Sequence, residues 1–225
     1  MSAPEACRHC GAAVPPTAHF CPACARILPL GRQTDYFAFL GFDRALGLDA
    51  AELERRFREL SRQFHPDYFY NATPAERRAS LERASYLNDA YRTLRQPIGR
   101  LEYLLDVEGA APRGPREAST AVPAALLEEV FALNEELDEI RALRGAGAPE
   151  AEWRGRLERA RQPIEARQRA HEADLDALSA RWDRTAGAPD AAGERRAVLQ
   201  ALRERMLERN YINNLLAGIE RELTS

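Results

Sequence analysis

The apolar positions of this chain recur at helical spacing through most of its length. In residues 49–69, DAAELERRFRELSRQFHPDYF, the residues Leu53, Phe57, Leu60 and Phe64 mark one helix face. Asp49 with Glu52 three residues on gives a start signal close to a capping box. Arg55, Arg58 and Arg62 form a second stripe, roughly opposite the first. The helix is predicted to stop at His65, because Pro66 disfavours a helical conformation in the residue before it. The tripeptide His65-Pro66-Asp67 is thus expected in a loop, at the end of a helix that is apolar on one side and cationic on the other. Upstream, Tyr36, Phe37 and Leu40 read as core residues of a short helix, with Gly41 and Gly47 marking the turn after it. Downstream, Thr73, Pro74 and Glu76 spell an N-cap, a first-position proline and a closed capping box. The helix they open is predicted over residues 74–96, with Leu81, Ala84, Leu87, Asn88, Tyr91 and Leu94 facing the preceding helix. The two would form an antiparallel hairpin with the tripeptide at its tip. Pro97 should stop the second of them, and residues 99–109 a short apolar helix follows.

Residues 109–122, GAAPRGPREASTAV, have no period and read as a linker. Three helices are predicted beyond it, over about residues 123–144, 149–182 and 190–223. Leu126, Val130, Leu133, Leu137 and Ile140 make a heptad-like seam on the first. Trp153, Leu157, Ala160, Ile164, His171, Leu175, Leu178 and Trp182 line the second, in which Pro163 should kink the helix or cost a hydrogen bond. Leu199, Leu202, Met206, Ile212, Leu216, Ile219 and Leu223 point inward on the third. Short connections at residues 145–149 and 187–189 suggest an antiparallel bundle. On the first bundle helix, Leu127, Phe131, Glu135 and Glu139 share one ridge beside the seam. Periodicity alone fits two readings of that ridge, a partner-docking face or a broadened core stripe. The seam histidine, His171, reads as a core residue rather than a ligand.

Chemistry enters with the cysteines. All four lie in the first 24 of the 225 residues: Cys7, Cys10, Cys21 and Cys24. Two C-x2-C pairs can close a tetrahedron of thiolates around one ion, which suits a closed structural zinc site; a rubredoxin-like iron site uses the same ligands. Gly11, just after the first pair, falls where such a knuckle commonly needs positive φ. The segment is too short for a core, so zinc would supply most of its folding energy, ~10–16 kcal/mol for such sites. His9 and His19 are read as bystanders to a shell the thiolates already complete. No basic leader precedes an apolar core, and no apolar run is long enough to span a bilayer. The expected location is the cytoplasm. The net charge of −3 argues against a general nucleic-acid binder. Every cation is arginine. No nucleophile–base pair or phosphate-binding glycine loop appears, so no enzyme is expected.

The helix–HPD–helix arrangement resembles the J domain of DnaJ-type co-chaperones, with DYFAFLGF at residues 35–42 similar to the opening of that domain. The alternative reading of the residues makes the tripeptide a helix-to-loop turn and the arginines a solvated face, and the helices on both sides of the tripeptide favour the J-domain reading over it. The longer chain resembles the HscB family of iron–sulfur J-type co-chaperones. The resemblance is carried by LNDAYRTL (residues 87–94), by Pro97, Arg100 and Tyr103 to Leu105, and by LNEELDEI (residues 133–140). The cysteine pairs resemble those of eukaryotic members; with no transit peptide seen, a bacterial protein of extended architecture is expected.

The resemblance implies an all-α fold: a zinc-ribbon-like knuckle (residues 1–32), a J domain (33–108), a linker (109–122) and an antiparallel three-helix bundle (123–225). It implies that His65, Pro66 and Asp67, with Arg55, Arg58 and Arg62, engage a DnaK/HscA-type ATPase chaperone. It implies that Leu127, Phe131, Glu135, Glu139 and Tyr211 engage an IscU-type scaffold, although this chain departs from the family's usual residues at Glu128 and Ala132. The implied cofactor is one structural zinc ion, with no catalysis, nucleic acid or membrane, and with self-association open. Two rivals are a J protein for a different client and a zinc-ribbon adaptor with a vestigial J-like hairpin.

Overall fold

The computed structural model describes residues 5–31, 35–111, 124–186 and 191–224. Most of the predicted linker, Pro123, the turn at residues 187–189 and the side chains of Leu126 and Leu127 lie outside the described residues. The fold is all-α apart from a small amino-terminal ribbon, and it divides into two compact units, Met1–Glu108 and Gly109–Ser225.

The first unit opens with β1 (Glu5–Ala6) paired antiparallel to β2 (Ala13–Val14). Helix α1 (Tyr36–Leu40) is capped by Asp35, whose carboxylate accepts from the Ala38 N–H at 2.8 Å. It ends on Gly41 at φ 77°, a left-handed conformation that glycine adopts without steric cost. Helix α2 (Ala50–Phe64) and helix α3 (Pro74–Leu94) form the hairpin, with Phe57 stacked on Tyr91 at 4.2 Å. Thr73 and Glu76 make the predicted capping box of α3. Pro97 does not simply end α3. It is the first residue of α4 (Pro97–Val107), where its missing N–H costs nothing. Arg100 is buried there and donates to the carbonyls of Leu94, at 2.7 Å, and Leu46, so it ties α4 to the end of α3 and to the loop before α2.

The inward face of α3 differs from the predicted one. Ala79, Ser80, Arg83, Leu87, Ala90 and Leu94 are buried, whereas Leu81 is 58% exposed and Asn88 is on the surface. The Ser80 hydroxyl explains the shift: it donates 2.7 Å to the carbonyl of Phe64, an acceptor left over at the end of α2.

The second unit is built from α5 (Ala124–Gly145), α6 (Glu150–Arg184) and α7 (Ala192–Thr224). Leu133, Leu137 and Ile140 of α5 pack with Trp153, Leu157 and Ile164 of α6 and with Ile212, Leu215 and Ile219 of α7. The α7 seam is shifted from the predicted one: Val198 and Leu215 are fully inside, and Leu199 and Leu216 only partly. Helix α6 continues through Pro163. At the end where α5 and α7 finish, buried Glu222 accepts from Arg141, at 2.6 Å, and from Arg144, at 3.3 Å. As predicted, His171 is a buried seam residue, and its Nε2 meets the carbonyl of Arg205 at 2.8 Å. Among the described residues no helix is long and apolar enough to cross a membrane.

Candidate functional site

Two knuckles of the same backbone design carry the cysteines. In the first, the Gly11 N–H donates to the carbonyl of Cys7 and the Cys7 N–H to that of Ala12, both at 2.8 Å. In the second, the Ala25 N–H donates to Cys21 at 2.8 Å and the Cys21 N–H to Arg26 at 2.9 Å. The residue after each pair is left-handed: Gly11 at φ 75°, as the spacing predicts, and Ala25 at φ 57°. Ala25 is the one non-glycine residue with positive φ among those described. A Cβ there costs about 1–2 kcal/mol.

The two turns bring all four sulfurs within 4.8 Å of one another, with Cys7 and Cys24 at 3.9 Å and Cys10 and Cys21 at 3.7 Å. Ligands bound at about 2.3 Å in a tetrahedron stand about 3.8 Å apart. The donor set and its spacing therefore fit a closed tetrathiolate site, and the separations are far too long for disulfides. The N–H groups of Cys10 and His9 lower Cys7, whereas burial, together with the neighbouring thiols Cys21, Cys10 and Cys7, raises Cys24, so the four cysteines share charge as one coupled cluster. No histidine joins the cluster.

His19 is no metal ligand, yet it is not idle. Its ring stands edge-on to Phe39 at 4.8 Å and to Phe64 at 5.0 Å, and its Nδ1 lies 2.7 Å from Nη1 of Arg83 on α3. Arg83 also donates to the carbonyls of Leu28, at 2.7 Å, and Pro29, at 3.1 Å. Its guanidinium sits over Phe39 and Phe64 at 5.8 and 5.6 Å. Arg83 is 3% exposed, and all its partners here are neutral. Burial lowers it to about 10, so it stays cationic at neutral pH. The same burial, followed by the charge of Arg83, lowers His19 to about 4 and keeps it neutral there. The sequence offered no hint of this junction, because the helical spacing singled out Leu81 and Ala84 and gave Arg83 no inward role.

The tripeptide leaves α2 directly. His65 caps the helix, and Pro66 begins a 3-10 turn, Pro66–Phe69, rather than an irregular loop. The Asp67 N–H donates to His65 Nδ1 at 3.3 Å, and nothing in the turn is buried. The Asp67 side chain is 86% exposed, and Tyr68 and Tyr70 stand out at 74% and 78%. Arg55, Arg58 and Arg62 are all on the surface, but the stripe is less cationic than predicted. Arg55 pairs with Glu52 at 2.6 Å and Arg58 with Glu54 at 2.5 Å, one helical turn away in each case. Arg62 donates to the carbonyl of Arg58 and has no carboxylate partner among the described residues.

On α5, Phe131 is 68% exposed, too open for a core residue. Glu135 and Glu139 are exposed beside it, with Glu139 taking a hydrogen bond from Arg156 at 2.6 Å. The Leu127 side chain lies outside the described residues; Tyr211 on α7 is half-buried. A cavity of about 480 Å³ between the bundle helices has a floor of Leu133, Ile164 and Leu215 and a rim that includes Arg156 and Arg159.

Comparison with known proteins adds to this geometry. A family model described as a zinc-ribbon domain matches residues 7–28, the span of the two knuckles. The crystal structure of the human co-chaperone protein HscB is similar at 25% identity and a TM-score of 0.66, over 97% of this chain and 98% of that one. Chaperone HscB from Vibrio cholerae is similar at 28% identity and a TM-score of 0.51, over 85% of this chain and 98% of that one.

Proposed function

We propose that this protein is an HscB-type J-domain co-chaperone of iron–sulfur cluster assembly. In this reading it stimulates a DnaK/HscA-type ATPase through its first unit and holds an IscU-type scaffold with its bundle. The observation that carries the proposal is the likeness to human HscB, which extends along 97% of this chain and takes in both units. The proposed division is a zinc-binding ribbon at residues 1–32, a J domain at 33–108, a linker at 109–122 and a scaffold-binding bundle at 123–225. The protein does no bond-making chemistry of its own, and it works in a bacterial cytoplasm.

The exposed His65, Pro66 and Asp67 contact the ATPase and favour its hydrolysing state. Arg55 and Arg58 lend little to long-range attraction while paired with Glu52 and Glu54, so steering onto an acidic chaperone surface falls mainly to Arg62. That attraction is screened over about 8 Å at physiological salt. On the bundle, Phe131 is the apolar anchor and Glu135 and Glu139 its charged rim, with Leu127 one turn earlier and Tyr211 completing the contact. Cys7, Cys10, Cys21 and Cys24 hold one structural zinc ion.

The test is ATP hydrolysis by a DnaK/HscA-type chaperone with this protein, with and without the scaffold. Stimulation that rises further with scaffold is the expected result. Stimulation indifferent to the scaffold would move the protein to another client. No stimulation by folded protein would leave a zinc-ribbon adaptor.

A further inference from the structure

The ribbon touches both helices that flank the tripeptide segment, α2 at its last residue and α3 in its first turn. At one end, Phe64, the residue before His65, is enclosed by His19 and by Phe20, whose ring is stacked at 6.0 Å. At the other end, Glu76 closes the capping box that restarts the helix and also faces Arg26 of the second knuckle at 3.6 Å. Between them stands Arg83, one turn along α3 from the Ser80 hydroxyl that holds the Phe64 carbonyl. The guanidinium spans from the Phe64 ring to the carbonyls of Leu28 and Pro29, where the ribbon ends.

We propose that Arg83 is a positioning residue, which couples metal occupancy of the four-cysteine ribbon to the conformation of the segment carrying His65, Pro66 and Asp67. Three physical points support the coupling. The ribbon's own core is small, Cys7, Val14, Cys21 and Ile27 being its buried residues, so its fold depends on the metal. His19 and Phe20 directly precede the ligand Cys21, so an ordered second knuckle fixes where their rings stand. A buried cation without a carboxylate needs every neutral acceptor it has, and for Arg83 these are two ribbon carbonyls and one ribbon imidazole. A ribbon that unfolds on losing its metal removes all three at once. The guanidinium then turns to water, and Phe64 loses one wall of its enclosure immediately before the tripeptide. Coupling of this kind is reciprocal, so loss of Arg83 must also weaken metal binding.

The role of the tripeptide rests on the function proposed above; the coupling does not. The experiment uses the full-length zinc-loaded protein. Hydrogen exchange is followed by mass spectrometry before and after zinc is removed with a chelator. Zinc affinity is measured by chelator competition for the wild type, Arg83→Met and Arg83→Lys. Removal of zinc is expected to speed exchange over residues 64–73 at least about tenfold while leaving that of α5 to α7 unchanged. Arg83→Met is expected to weaken zinc binding about tenfold, equivalent to about 1.4 kcal/mol, with Arg83→Lys between it and the wild type. Unchanged exchange at residues 64–73 in stripped protein, or wild-type zinc affinity in Arg83→Met, overturns the inference. Should Arg83→Met not fold, Cys10→Ser removes an exposed ligand without touching Arg83, and the same two results for exchange at 64–73 decide. Coupled exchange in a protein that stimulates no ATPase would sustain the inference and refute the co-chaperone reading.

Discussion

Nη1 of Arg83 lies 2.7 Å from Nδ1 of His19, a residue 64 positions earlier in the chain. With Arg83 cationic, the imidazole must be the acceptor in this bond, so its proton sits on Nε2. NMR of the His19 ring should therefore show one neutral tautomer from pH 7 down to about 4, where its lowered value lies. The unfolded chain takes up this proton first, near the ordinary value of 6.5. The His19 contribution to stability is thus complete above pH 6.5 and is lost as the pH falls towards 4. A ring that titrates near 6.5 in the folded protein would break the junction as described.

The two knuckles share one left-handed position, filled by Gly11 in the first and by Ala25 in the second. Ala25→Gly removes the strain of a left-handed alanine and should tighten zinc binding by about 1 kcal/mol, roughly fivefold. Gly11→Ala should weaken it by a similar amount, and for a purely conformational reason, since a Cβ at Gly11 meets nothing within 4 Å. Chelator competition on the two variants measures both.

Asp67→Asn should abolish ATPase stimulation while the melting temperature stays within about a degree, because the carboxylate is 86% exposed and surface substitutions change stability by less than about 0.5 kcal/mol. A variant that stimulates as the wild type does would remove the tripeptide from the mechanism.

Phe131→Ala offers the same separation on the bundle. The ring is 68% exposed, so stability should hold, while affinity for an IscU-type scaffold should fall by about 2 kcal/mol, some thirtyfold, if the ring is an anchor. Titration calorimetry with the scaffold gives the answer; an unchanged affinity would make the exposed ring an ordinary surface residue.

The helices, their caps and the cysteine pairs were legible in the sequence, because each rests on signals a few residues apart. Thr73 and Glu76 form their capping box from neighbours in the chain, and Gly11 takes positive φ because its knuckle demands it. What failed was the helix phase where a polar residue outranks an apolar one. Hydrophobicity favours Leu81, but Ser80 lies inward because its hydroxyl meets the carbonyl of Phe64. Arg83 was illegible for the same reason at longer range, since its partners belong to the ribbon, more than 50 residues away. The cationic stripe was overread: Glu52 and Glu54 stand in the same helix and meet Arg55 and Arg58 directly. Phe131 lay between two readings that periodicity does not separate, and its exposure argues against the core one.

Among the described residues, helices α6 and α7 carry buried core positions outside the cluster they share with α5. Leu175 and Trp182 of α6, and Val198 and Leu202 of α7, are buried outside the cluster that α5 shares. Arg195 stacks on the Trp182 ring at 3.9 Å. The bundle is therefore expected to open in steps, with the α6–α7 hairpin outlasting the release of α5, the helix that carries the exposed phenylalanine. A partner pulling on α5 would work against only part of the bundle's stability, and the hairpin would keep the template on which α5 refolds.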